Sequence, residues 1–247
     1  MLTMEMLQDA KKVLDGVARK TPVFQSTYIN PDADVYIKCE NMQVTGSFKL
    51  RGAYFKTASL TDAEAQKGVI ACSAGNHAQG VALAAQKKGI PAVICMPESA
   101  PMAKVEATRS YGAEVVLVPG VYDDAAAKAT QLQQEKGYTF LHPFNDEYVM
   151  AGQGTVAPSM QNALNVGKAE ALASVSTMAD GIAVKQPGDL TFAMCQKYVD
   201  GVVTVTEDEI ASAILKLIEK HKMVAEGAGA VSVAAAMYNK VDIKGKK

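Results

Sequence analysis

From Gly68 onward the chain repeats one pattern: a short apolar run, a loop, a helical stretch, and a glycine that closes it. The runs 69–72, 92–96, 114–118 and 138–141 read as strands. Helices are expected over 77–88, 101–111 and 123–136, ended by Gly89, Gly112 and Gly137. Strands that are apolar at nearly every position are covered on both faces, which is the pattern of a parallel sheet between layers of helices. The chain is therefore expected to be an α/β protein. In such sheets ligands gather at the carboxyl ends of the strands, so the strand-to-helix loops are where a site is sought.

The segments on either side are less regular. Thr3 can cap a helix carrying Met6, Leu7, Ala10, Val13, Leu14 and Val17 at helical spacing, and Thr21-Pro22 ends it. Residues 34–40 read as a strand, Thr45-Gly46-Ser47 as a turn, and 48–59 as a helix. Thr61-x-x-Glu64 is a capping box. Between 156 and 199 there are helical pieces but no convincing buried strand. A strand at 202–205, a helix capped by Thr206-x-x-Glu209 and running to Lys220, and a small-residue helix over 226–238 complete the pattern. The late sheet is short of strands.

Bulk properties exclude several functions. With 25 Lys and Arg against 26 Asp and Glu, the chain has no basic surface to hold a polyanion, so no nucleic-acid partner is expected. The stretch 227–238 is too short to span a bilayer and the first residues lack a signal-type apolar core, so no membrane partner is expected. Cys39, Cys72, Cys95 and Cys195 are widely spaced, with no Cys-x-x-Cys and no histidine at ligand spacing. No metal site is expected, and buried free thiols suit a cytoplasmic protein.

Two places carry chemistry. Lys49 lies at a helix start after the Thr-Gly-Ser turn, where the helix dipole and partial burial favour the neutral, nucleophilic amine. Its bland alternative is a surface lysine. The loop Ser73-Ala74-Gly75-Asn76-His77 follows a buried strand and opens a helix, so its N–H groups make a cradle for a carboxylate or phosphate. The alternative there is an ordinary turn with Asn76 as N-cap. His142 and His221 have no partner motif and read as structural. Gly227-Ala228-Gly229-Ala230 lacks both the third glycine and the preceding strand of a dinucleotide fingerprint, and no serine lies in Gly-x-Ser-x-Gly.

Thr45-Gly46-Ser47-Phe48-Lys49-Leu50-Arg51-Gly52-Ala53 and Ser73-Ala74-Gly75-Asn76-His77-Ala78-Gln79-Gly80 together resemble the two signatures of the fold-type II, pyridoxal-5′-phosphate-dependent threonine/serine dehydratases. Order and separation match as well. His142-Pro143-Phe144-Asn145-Asp146, Ala151-Gly152-Gln153-Gly154-Thr155, Met178-Ala179-Asp180-Gly181 and Glu226-Gly227-Ala228-Gly229-Ala230 extend the resemblance over nearly the whole chain. It implies two parallel-sheet domains, a large one from 1–64 with 150–247, left incomplete, and a small one from 65–149. It implies that Lys49 holds pyridoxal 5′-phosphate, that Phe48 packs on its ring, and that Asn76 bonds the ring 3-hydroxyl. Ser73 with the amides of Gly75, Asn76 and His77 would take the substrate carboxylate, and the Lys49 amine would remove the Cα proton. The implied reaction is β-elimination and deamination of L-threonine or L-serine to a 2-oxo acid and ammonia, in a homo-oligomer with a small amino acid as substrate. Serine racemases carry a second serine where this chain has Ala74, which has no proton to move, so elimination is favoured over racemisation.

Two elements of that family are missing. A glycine-rich phosphate loop is expected between Gly154-Thr155 and 161–172, where Val156-Ala157-Pro158-Ser159-Met160 runs straight on. A Ser-Gly-Gly-Asn-like strand end contacting the pyridine nitrogen is expected after Lys247. Without them the chain is expected to bind its cofactor weakly and turn over poorly. The alternatives are a catalytically dead remnant serving as a ligand-binding or assembly partner, and a racemase or β-replacement synthase on the same fold.

Overall fold

Thr3 caps the first helix as its sequence suggests, its Oγ1 accepting the Met6 N–H at 3.2 Å, and α1 spans Met4–Val13. The apolar spacing continues to Val17, but Gly16 takes a left-handed conformation (φ 72°) and the helix stops early. The computed structural model describes residues 2–155 and 174–246. They form two compact units, one from 2–19 and 42–155, the other from 20–41 and 174–246.

The first unit holds the repeated pattern. After α2 (Lys49–Ala58) and α3 (Asp62–Lys67) come β3 (Val69–Cys72), α4 (Asn76–Lys88), β4 (Ala92–Pro97), α5 (Met102–Ser110), β5 (Glu114–Val118), α6 (Tyr122–Lys136), β6 (Thr139–Phe140) and α7 (Glu147–Gly154); β1 and β2 belong to the second unit. The strands lie in the order β5-β4-β3-β6, all parallel, with Cys72 beside Cys95 and Val93 beside Glu114. Every residue of β3 and β4 is buried, as double coverage requires. Alternate residues part to opposite faces. Val69, Ala71, Ile94 and Met96 pack with Ala78, Val81 and Ala85 of α4, whereas Ile70, Cys72, Val93 and Cys95 pack with Ala125 and Ala129 of α6. Gly89 and Gly137 close their helices in the left-handed conformation, which lets the chain turn back to the sheet at once.

Two close backbone approaches fix α2. A side-chain carbon at Gly152 of α7 would lie 2.5 Å from both Arg51 O and Gly52 Cα, and one at Gly80 of α4 would lie 3.0 Å from Lys49 C. Only glycine lets those backbones touch. The start of α2 is thereby set against the start of α4.

In the second unit, β1 (Val23–Ser26) pairs antiparallel with β2 (Val35–Lys38). β1 was not expected, being too short to show alternation. Three helices follow, α8 (Asp189–Tyr198), α9 (Glu207–His221) and α10 (Gly227–Met237), with Ile210, Ala213, Leu217, Ala230, Val233 and Ala234 in their shared core. Thr206 caps α9 with the expected box. The strand expected at 202–205 is not formed. Extended backbone becomes a strand only when a neighbour takes its N–H and C=O groups, and no described strand runs beside it. Among the described residues no helix is long and apolar enough to cross a membrane.

Candidate active site

The helix that opens after the loop of β3 packs against the start of α2, with Gly80 beside the Lys49 backbone. Gly46 makes the turn before α2 in the left-handed conformation (φ 72°), its N–H bonded to Gln43 O at 2.9 Å. Phe48 is then the N-cap and Lys49 the first helical residue. The Lys49 Nζ lies 4.8 Å from the centre of the Phe48 ring. Among the described residues it has no hydrogen-bond acceptor and no carboxylate partner. Burial pushes its pKa below the usual lysine value, because a desolvated ammonium is penalised relative to the amine.

Across from it, Ser73 continues the sheet by donating its N–H to Cys95 O at 3.2 Å, and the Gly75 N–H bonds Ser73 Oγ at 3.2 Å. Gly75, rather than Asn76, is the N-cap, and Asn76 is the first residue of α4. A side chain at Gly75 would find no atom of the described residues within 4 Å, so among them the space above the loop is open. Asn76 Oδ1 accepts from Lys104 Nζ at 2.7 Å. Lys104, on α5, is a residue that sequence reasoning missed.

The His77 ring, for which the sequence gives no expectation, has a partner of its own. The residue is buried, 3% exposed, and Nε2 lies 2.8 Å from Leu141 O just past β6. A carbonyl can only accept, so Nε2 carries the proton and Nδ1 is a bare lone pair, buried without a partner. Burial, first, and then the positive charges of Lys49 and His142, hold its pKa down at about 4, against the Leu141 carbonyl that favours the charged form. The ring stays neutral beside Lys49. His142 Nδ1 accepts the N–H groups of Phe144 and Asn145, a turn-forming role as expected. His221 is likewise engaged, its Nε2 2.8 Å from Ser26 Oγ in the second unit.

Charge in the first turns separates these helices from their neighbours. In the first unit α1, α3, α6 and α7 have acidic residues in their first turns, whereas α2, α4 and α5 have none, and α2 and α5 carry Lys49 and Lys104 there. Three positive helix ends and two lysines, without a carboxylate in any of the three first turns, suit an anionic ligand.

The family model described as "Pyridoxal-phosphate dependent enzyme" matches residues 14–171 and 156–247. The chain belongs to that family. This pyridoxal-phosphate dependent enzyme is 44% identical to the L-threonine ammonia-lyase of Thermotoga maritima, covering all of this chain and 74% of the relative. Among solved structures it resembles the processed threonine deaminase isoform 2 of Solanum lycopersicum (34% identity, TM-score 0.88, 95% of this chain and 78% of that one). It also resembles maize serine racemase (29% identity, TM-score 0.90, 98% and 89%). The fold-type II α/β architecture expected from the signatures is thus the fold of this chain.

The described residues of the enzyme fit the reactive end of pyridoxal phosphate: a desolvated amine without an acceptor, positive helix ends, and open space above Gly75. The expected phosphate loop falls in 156–173, outside the described residues. The Thermotoga alignment runs over 296 positions and contains all 247 residues of this chain, so 49 positions have no counterpart here. The two pieces matched by the family model meet in 156–171.

Proposed function

We propose that this chain catalyses β-elimination and deamination of L-threonine, and of L-serine, releasing a 2-oxo acid and ammonia, with Lys49 as the cofactor lysine and catalytic base. The observation that carries this is the buried Lys49 amine, without an acceptor among the described residues, set by Gly80 against the loop of Asn76. Relatives named L-threonine ammonia-lyase give the substrate class.

Each residue has a task that its surroundings support. Burial favours the neutral Lys49 amine, which can then accept the Cα proton of the substrate. The Phe48 ring shields one side of that amine from water. Ser73 Oγ and the amides of Gly75, Asn76 and His77 take the substrate carboxylate above the open loop, and the Asn76 side chain meets the ring oxygen of the cofactor. His77, held neutral, adds no charge that would compete for the carboxylate. Ala74 offers no hydroxyl for protonation from the opposite face, which favours elimination over racemisation. Pyridoxal phosphate, when bound, supplies the electron sink for negative charge at Cα. For threonine, loss of the β-hydroxyl as water and hydrolytic loss of nitrogen as ammonia leave 2-oxobutanoate.

From the family resemblance we assign 65–149 as the small domain and 1–64 with 150–247 as the large one; in the structure 42–64 packs in the same compact unit as 65–149. We further propose that it acts in the cytoplasm, as a homo-oligomer, on a small amino acid. The 49 unfilled alignment positions favour a second reading, a remnant that binds its cofactor weakly and serves as a ligand-binding or assembly partner. Borohydride reduction in the presence of pyridoxal phosphate, followed by mass spectrometry of the Lys49 peptide, separates the two. Label on Lys49 together with 2-oxobutanoate from threonine supports the lyase. D-Serine rather than pyruvate from L-serine makes it a racemase, and no label leaves the remnant.

A further inference from the structure

Two groups at the site each lack the partner that the other could supply. The first is the Lys49 amine, which has no hydrogen-bond acceptor and no carboxylate among the described residues. The second is His77 Nδ1, a buried lone pair without a donor. The Leu141 carbonyl takes the proton on Nε2 at 2.8 Å, which fixes the tautomer and leaves Nδ1 able only to accept. An unpaired polar atom in a protein interior is costly, so a native chain that keeps one calls for an explanation.

Backbone packing brings the two together. His77 and Gly80 are three residues apart in α4 and so lie on one face of it. Gly80 is where that face meets the start of α2: an added carbon there would lie 3.0 Å from Lys49 C and 3.1 Å from Lys49 O. The His77 ring therefore stands one turn of α4 from the Lys49 backbone. Of the two positive charges that act on it, that of Lys49 counts for more than that of His142. His142 is also the poorer donor. Its Nδ1 holds the N–H groups of Phe144 and Asn145, and its ring cannot swing without breaking that turn. The Lys49 ammonium sits on a flexible four-carbon stem. We propose that His77 Nδ1 is the resting place of the Lys49 amine: whenever Lys49 is not joined to an aldehyde, Nζ turns from the Phe48 ring and donates a hydrogen bond to Nδ1. His77 is then a positioning residue. It keeps the amine at the site, and it accepts from the ammonium once Lys49 has taken the Cα proton, with no proton passing to the ring. This rests on the reading of Lys49 given under the proposed function.

Nitrogen-15 labelling of the histidines in the full chain, free of cofactor, tests this, because a bare imidazole nitrogen and one that accepts a hydrogen bond resonate far apart. In wild type the His77 Nδ1 signal should be displaced from the bare position, and in Lys49→Met it should return there. Matching signals in the two proteins overturn the proposal. The second readout is the rate at which acetic anhydride labels Lys49, followed by peptide mass spectrometry. The anhydride takes the neutral amine, and a hydrogen bond from the ammonium to Nδ1 holds that form back. His77→Gln keeps a donor for Leu141 O and puts no acceptor in place of Nδ1. In this variant Lys49 should be labelled about fivefold faster at neutral pH, the effect of one lost hydrogen bond. Lys56, in the same helix, should keep its wild-type rate. An unchanged rate at Lys49, or Lys49 and Lys56 rising together, overturns the positioning role. Neither readout needs the cofactor. A chain that shows both effects and yet takes up no pyridoxal phosphate overturns the lyase reading and leaves the hold of His77 on Lys49 standing.

Discussion

Gly152→Ala is expected to destabilise the protein, although alanine is the better helix former. In α7 the exchange by itself favours the variant by about 1 kcal/mol. The new carbon, however, would stand 2.5 Å from Arg51 O, 2.5 Å from Gly52 Cα and 2.8 Å from Arg51 C. All three are backbone atoms, which cannot rotate away, so α2 and α7 must part by about 1 Å to restore ordinary contact. α2 cannot retreat freely, because Gly80 of α4 already approaches the Lys49 backbone as closely as a carbon there would tolerate. Overpacking of this kind costs about 1–3 kcal/mol, and the double confinement puts it at the upper end. The net loss is about 2 kcal/mol, or a fall of about 4–8 °C in Tm for a chain of this size. Gly229→Ala is the control. In α10 the added carbon meets, among the described residues, only Ala225 Cβ, at 3.8 Å, so the gain in helix propensity stands and stability should rise by a few tenths to about 1 kcal/mol. Thermal and urea unfolding of both variants decide the matter. If Gly152→Ala is as stable as wild type, or both variants shift the same way, the close-approach reasoning is wrong.

Lys49→Met should abolish borohydride-fixed cofactor and yet be more stable than wild type, because it removes a desolvated ammonium. Since the folded state depresses the lysine pKa, that advantage should grow as pH falls and shrink toward alkaline pH, which urea titration across pH will show. His77 binds its proton near pH 4 when folded and near 6.5 when unfolded. Its contribution is therefore intact above 6.5 and lost as pH falls toward 4, on the order of 3 kcal/mol at most. His77→Gln should flatten that part of the stability curve, and an unchanged slope counts against the buried neutral ring. Pyridoxal should bind within about tenfold of pyridoxal phosphate, because no glycine-rich loop follows Thr155 to reward the phosphate. A hundredfold preference for the phosphate in competitive titration would show that another cradle exists.

The parallel sheet was legible because its signals are local. Buried strands are apolar throughout, and Gly89 and Gly137 occupy left-handed helix ends that few other residues adopt. β1 and the unformed strand at 202–205 were not legible, since short strands are decided by whether a neighbour pairs with them. At the site, Lys49 and the loop of Asn76 could be found from two motifs. Lys104 could not, although a lysine in a first turn without acids was a signal available to be read. The bond of His77 to Leu141, 64 residues away, has no local trace. The sequence therefore gives no reading of its imidazole.

That bond also sets an order of assembly. His77 belongs to the first strand–helix crossing of the sheet, but the carbonyl that pins its ring lies just beyond β6, which follows β4, β5 and their helices in the chain. Until β6 docks, the ring lacks that acceptor, and closing this edge of the sheet supplies the carbonyl that its Nε2 proton meets. A chain frayed at this two-residue edge strand would therefore lose the carbonyl that holds the His77 ring.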